Sequence, residues 1–217
     1  MALWYGLLGG LVYMFGWVIG VGAYFLFYQA VSQVLFTFFG LEMMTGPDFV
    51  FCKDDQKTNL MNIIAFNKFQ RIDIDTIRNL TVKRSTRFQR MRSAGAKIMG
   101  RYMFKDLGAE YVIKNQNKYF KACSGVHNED QLAEFMEKQQ GIREPLDDIQ
   151  WRVFFFEDYS ETESVFVFKV HHCLIDGISS ILMYLNLCDD PDIKNVPQIM
   201  VRFTLVQKIV QMVLSPF

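Results

Sequence analysis

The first forty-one residues carry no charged side chain, and Glu42 is the first to do so. Few folds accept such a run. It offers water no charge, and a secretory signal has a basic leader and a shorter apolar core. The run is therefore read as a membrane segment. As one straight helix it is roughly 60 Å long at 1.5 Å per residue, about twice the thickness that some 20 apolar residues cross. That excess predicts one or two helices over 1–41, with a break expected at Gly20-Val21-Gly22. Gly16 and Gly20 also have the small-xxx-small spacing that lets helices approach closely.

What remains is enough for one ordinary domain, because the whole chain has 217 residues. Its formal net charge is zero, so it lacks the basic surplus that nucleic-acid binding draws on, and no nucleic-acid partner is expected. Thr45-Gly46-Pro47-Asp48 is a turn signal near the start of a globular part assigned to 42–197. Leu60 to Phe66 reads as a buried strand, and Asp73 or Asp75 can cap a helix running to about Arg84. Asp130 to Gln140 has Leu132, Phe135 and Met136 on one side of a helix. Trp151–Phe156 and Ser164–Val170 are Val- and Phe-rich core strands joined by a short polar turn. Ile178, Ile181, Leu182 and Leu185 have helical spacing, and Ile199, Phe203, Val206, Val210 and Val213 repeat it in an amphipathic tail over 198–217. Core strands mixed with flanking helices predict an α/β or α+β fold with a mixed sheet.

Charge is unevenly spread. Nine basic and no acidic residues lie between Thr76 and Lys105, and eleven acidic against three basic lie between Glu129 and Glu163. The basic stretch suits anionic headgroups or phosphates, or a solvated face that balances the acidic one. Cys52, Cys123, Cys173 and Cys188 form no C-x-x-C pair, and His171-His172-Cys173 is too compressed for separate metal ligands on one element. Four reduced thiols and no metal are expected. His127 stands in a polar stretch and is expected in solvent.

The chemistry concentrates in His171-His172-Cys173-Leu174-Ile175-Asp176-Gly177, directly after a core strand and directly before a helix. A general base needs a fixed, oriented imidazole with a pKa near the working pH. A strand end supplies the rigidity. Asp176 follows closely enough to support the loop, and Gly177 permits the sharp turn that the chain must make there.

HHxxxDG is the signature of the CoA-dependent acyltransferase superfamily, which includes chloramphenicol acetyltransferase, carnitine acyltransferases and peptide-synthetase condensation domains. Glu144-Pro145-Leu146-Asp147, Trp151 and Lys169-Val170-His171-His172 resemble the PLD…PLW…KxHHxxxDG arrangement of the wax ester synthase/acyl-CoA:diacylglycerol acyltransferase family, with Ile149-Gln150 standing where that family has PL. The likeness runs from about Asp48 to Cys188 and follows that family's first half. It implies a chloramphenicol-acetyltransferase-like half domain with acyl-CoA as co-substrate and no bound cofactor. His172 would be the general base on an acceptor hydroxyl, His171 a supporting residue, and Asp176 and Gly177 structural parts of the loop. The acceptor would be diacylglycerol or a long-chain alcohol, in an integral membrane protein of the endoplasmic reticulum whose globular part faces the cytosol.

Members of that family carry a second, similar domain, and only forty residues follow Gly177. The chain is then a fragment, or its cleft is completed by a second chain or another copy, or it is a non-catalytic subunit of a membrane complex built on half an acyltransferase. Beyond membrane lipids and acyl-CoA, that completing chain is the partner the resemblance implies.

Overall fold

The computed structural model describes residues 2–44, 47–54, 61–98, 101–175, 179, 180, 183, 185 and 186. They fall into two units that divide after Met43.

The first unit is dominated by helix α1, Ala2–Phe39, 38 residues without interruption. Gly20 and Gly22 lie inside it, so the expected break is absent. Glycine in a helix interior forfeits only about 1 kcal/mol, whereas opening the backbone in an apolar setting strands N–H and C=O groups at several kcal/mol each. The helix stops at Gly40, whose φ of 60° is left-handed and whose N–H donates to the carbonyl of Phe36 at 3.2 Å. Tyr13, Met14, Phe15, Trp17 and Val18 are all exposed, and near-consecutive residues step around the whole circumference, so this part of the helix is apolar on every face; further along, Gln29, Gln33 and Thr37 share one face, with the Gln33 amide donating to the Thr37 hydroxyl at 3.2 Å. Gly16 and Gly20 meet nothing within 4 Å among the described residues. A three-residue strand, β1 (Leu41–Met43), follows.

The second unit is a mixed α/β domain. After helix α2 (Pro47–Asp54), its elements are β2 (Asn62–Gln70), α3 (Ile74–Ser85), the hairpin strands β3 (Ser93–Ile98) and β4 (Arg101–Asp106), the short helices α4 (Ala109–Lys114) and α5 (Gln116–Tyr119), β5 (Phe120–Cys123), α6 (Glu129–Gln140), β6 (Trp151–Phe156) and β7 (Glu163–His171). Four strands form one sheet in the order β2-β7-β6-β5; β7 is antiparallel to both neighbours and β5 runs parallel to β6.

Strand alternation divides the core between the two sides of this sheet. Trp151, Val153 and Phe155 of β6 and Phe166, Phe168 and Val170 of β7 enter the larger cluster, with Ile77 and Val82 of α3 and Tyr102 and Phe104 of the hairpin. Phe154, Phe156, Val165 and Val167 enter the smaller one, covered by Leu132, Phe135 and Met136 of α6. Burial on both faces is why β6 and β7 read as near-continuous apolar runs, broken by Arg152 and Lys169. Trp151 is fully buried and spends its one polar group well: the indole N–H donates to the Met91 carbonyl at 2.6 Å.

The expected elements are present with shifted ends. β2 begins later and runs four residues further than Leu60–Phe66, because β7 pairs with it over nine rows, from Asn62↔His171 to Gln70↔Glu163; it is also not the buried strand expected, since it stands at the sheet edge and none of its residues is fully buried. Asp73 caps α3, its carboxylate accepting from the Thr76 N–H at 2.8 Å, and Asn128 caps α6 by accepting from Gln131 at 2.9 Å. The 198–217 tail and Cys188 lie outside the described residues. Part of the basic stretch is tied internally: Arg90 to Asp48 at 2.8 Å and Arg92 to Asp106 at 2.8 Å. Lys83 and Arg87 are exposed, as is His127.

Candidate active site

β7 ends at His171 and the chain turns at once, with the Leu174 N–H donating to the His171 carbonyl at 3.0 Å. Both histidines are pinned through their backbone. The His171 N–H donates to the Gln150 carbonyl at 2.9 Å, just before β6, and the His172 N–H donates to the Met61 carbonyl at 2.7 Å, just before β2. The pair is thus held from both neighbouring strands, which is what a strand centred between two neighbours can offer and an edge strand cannot.

The two side chains diverge. His171 is buried, shares a sheet face with Lys169 by alternation, and its Nδ1 accepts from the Cys173 N–H at 3.1 Å. It lines a cavity of about 190 Å³ together with Arg143, Glu144, Gln150, Cys52 and Cys173. His172 is half-buried and turns away to α2, where its ring packs on that of Phe51 at 4.1 Å between centroids, tilted by 45°. Its Nδ1 is buried and has no hydrogen-bond partner among the described residues. A proton acceptor working from this ring therefore works from Nε2.

Beneath the cavity lies a cluster of charges. Glu144 accepts from the Lys169 ammonium at 3.1 Å and from the Arg152 guanidinium at 2.6 Å. Arg152 also reaches Asp148 at 2.6 Å, and Lys169 donates to the Ile142 carbonyl at 2.6 Å. Burial draws the Lys169 ammonium pKa below its usual value, against the pull of Glu144. Burial would raise the Asp148 carboxyl, but the hydrogen bond from Lys118, the Arg152 charge and the Ile149 N–H together hold it below the ordinary range. These bonds tie the segment 142–150 over the strands and make it one wall of the cavity. Asn62 of β2 fastens its start, donating to the carbonyls of Gln140 and Ile142 at 3.0 and 3.2 Å.

Asp176 and Gly177 lie outside the described residues, as do Ile178, Ile181 and Leu182. Of the helix expected after Gly177, Ser179, Ser180, Met183, Leu185 and Asn186 are described and helical. Met183 is buried in the larger core cluster, and the Asn186 amide donates to the Arg84 carbonyl of α3 at 3.2 Å. Cys52, Cys123 and Cys173 are free thiols, and burial raises the pKa of Cys123.

Three contributors were not singled out from sequence: Phe51 against His172, the Met61 carbonyl beneath it, and Glu144 as the common acceptor of two buried cations. Glu144 was visible only within the Glu-Pro-Leu-Asp resemblance. No local pattern marks Phe51 or Met61.

No family profile matches the sequence, and no curated protein does. Solved structures do match in shape. The first condensation domain of the calcium-dependent antibiotic synthetase, in complex with a substrate analogue, superposes with a TM-score of 0.57 at 15% identity, over 66% of this chain and 35% of that one. The fold is condensation-domain-like. A condensation domain from the enacyloxin polyketide synthase gives 0.51 at 14% identity over 69% of this chain and 31% of its own. The wax ester synthase/diacylglycerol acyltransferase from Marinobacter aquaeolei VT8 gives 0.52 at 15% identity, over 65% and 36%. The chain spans about a third of the length of each of these three structures.

Proposed function

We propose that this chain is a membrane-bound O-acyltransferase that moves a fatty acyl group from acyl-CoA to diacylglycerol or a long-chain alcohol, with His172 as general base. Nε2 of His172 takes the hydroxyl proton as the acceptor oxygen bonds to the thioester carbonyl carbon. The C–S bond breaks, and the CoA thiolate leaves and recovers the proton from the imidazolium. No acyl-enzyme forms. His171 supports the turn from its buried position, and Asp176 and Gly177 are assigned to the same turn.

One observation carries the reading. The second histidine of an HHxxxDG stretch stands half-exposed at the end of an inner strand, in a fold shared with condensation domains and a wax ester synthase. The charge-free α1 supports a membrane anchor, which suits an enzyme whose acceptor and product are lipids; the endoplasmic reticulum, with the domain on the cytosolic side where acyl-CoA is available, is proposed as its place.

A second reading, a non-catalytic subunit of a membrane complex, is favoured by edge strand β2, which leaves Phe66 exposed on one face of the sheet and Phe69 on the other, apolar side chains beside a sheet edge that a protein partner can cover. One experiment separates the two. Membranes containing the full chain, or His172→Ala, receive labelled acyl-CoA with diacylglycerol or a long-chain alcohol. The first reading expects ester from the wild type and about 10²-fold less or lower still from the variant. Equal ester from both removes His172 from the mechanism, and none from either selects the second reading.

A further inference from the structure

We propose that Phe51 is the positioning residue of the His172 imidazole. Its catalytic consequence rests on the function proposed above; its geometric content does not. A catalytic imidazole is commonly oriented by a hydrogen bond at the nitrogen that does no chemistry. Nδ1 of His172 has no such partner among the described residues. The backbone is pinned by Met61, but that bond leaves the side-chain torsions free. What limits them is the Phe51 ring. At 4.1 Å between centroids it stands closer than the 4.5–7 Å usual for aromatic pairs, so a swing of the imidazole toward α2 meets the phenyl face.

The support is itself rigid. α2 is held by Phe49, edge-to-face on Tyr102 at 5.9 Å, by the buried Cys52, and by the 2.8 Å ion pair of Asp48 with Arg90. Phe51 sits between two of these anchors. Tertiary packing thus does for His172 what a carboxylate or carbonyl does for many catalytic histidines. Phe51 touches the base and is not assigned to substrate, so its removal should lower kcat and leave KM nearly unchanged.

The test uses the full-length chain in lipid. Phe51→Leu is expected to lose about 10- to 100-fold in kcat, the scale of a misplaced catalytic group. Phe51→Tyr, which keeps the ring, should recover most of it. In a His172→Ala background, Phe51→Leu should cost nothing further, because the residue acts through the imidazole. Full activity in Phe51→Leu, or the same fold-loss without His172, overturns the proposal. The chain has three histidines, so ¹³Cε1-histidine labelling gives three signals. The His172 signal should carry the Phe51 ring-current shift and lose it in Phe51→Leu, with His127 and His171 unmoved. All three unchanged, or all three moving together, also overturns it. Should the wild type make no ester, the proposed function falls and this spectrum still decides the positioning.

Discussion

Arg152 and Lys169 stand directly opposite each other across the β6–β7 ladder, two buried cations whose shared counter-ion is the single carboxylate of Glu144. Like charges opposed in a sheet repel, and burial leaves little water to screen them. Glu144→Ala leaves Lys169 with one carbonyl and Arg152 with Asp148. The expected loss is about 3–5 kcal/mol, the scale of a buried ion pair stripped of one partner. Glu144→Gln keeps an acceptor and should lose less. Denaturant unfolding of the full chain in detergent measures both, and Glu144→Ala unfolding like the wild type would mean that the cluster is not held as described.

Acid should weaken the fold through Asp148. Its carboxyl is held below the ordinary range, so the unfolded chain binds its proton more readily than the folded one. The stability it contributes is fully present above the unfolded value of about 3.9 and is lost as pH falls from there through the folded value. Asp106 has the same sign: burial raises it, and Arg92 with the Gly108 N–H more than reverses that. Unfolding midpoints collected from pH 6 downward should therefore fall below about pH 4. Asp148→Asn should flatten that limb in part, with the Asp106 share remaining. An unchanged acid limb in the variant would rule out Asp148 as its source.

Gly95 on β3 lies against the cavity wall. A Cβ built there would stand 2.6 Å from the Leu146 carbonyl oxygen, and the neighbouring Ala94 bridges Ile149. Gly95→Ala must push 146 outward or shift the hairpin, at about 1–3 kcal/mol, the usual cost of overpacking. Thermal unfolding checks the stability. Proteolysis between 142 and 150 checks the wall, with faster cleavage expected in the variant. Wild-type values in both would show that the wall yields freely.

How much of this was legible depended on whether a residue's role was local. Trp151–Phe156 could be read to the residue, because a strand buried on both faces is a near-continuous apolar run, here with Arg152 as its one break. The caps Asp73 and Asn128 act within three residues, so capping chemistry is visible in sequence, although Asp73 was offered only as an alternative to Asp75 and Asn128 was not picked out. The hairpin β3–β4 was missed: Lys97, Arg101 and Lys105 break any apolar alternation, and its pairing is set by the strand opposite. β5 has four residues whose conformation comes from β6. At the site, HHxxxDG announced the histidines. The carbonyls of Met61 and Gln150 that pin them did not show, because every residue has a carbonyl and only register decides which two arrive. The break expected at Gly20-Val21-Gly22 weighed local propensity over the demand that an apolar environment makes on the backbone.

That demand also frames the test of α1. Tyr13–Phe39 is 27 residues containing an 18-residue window of mean hydropathy 1.5, roughly 40 Å at 1.5 Å per residue, enough to cross about 30 Å of hydrocarbon with some tilt. Leu26 and Phe27 sit at its middle and are exposed. An arginine at the centre of an inserted helix costs about 2.5–3.5 kcal/mol. Leu26→Arg with Phe27→Arg should therefore move the chain out of the carbonate-resistant membrane fraction, where the wild type is expected. Phe39→Arg, at the helix end, can reach the headgroups and should leave the chain in place. If the double variant resists carbonate as the wild type does, the middle of α1 is not in lipid. Its apolar circumference then has to be covered by protein, which would favour the membrane-complex reading over a free-standing anchor.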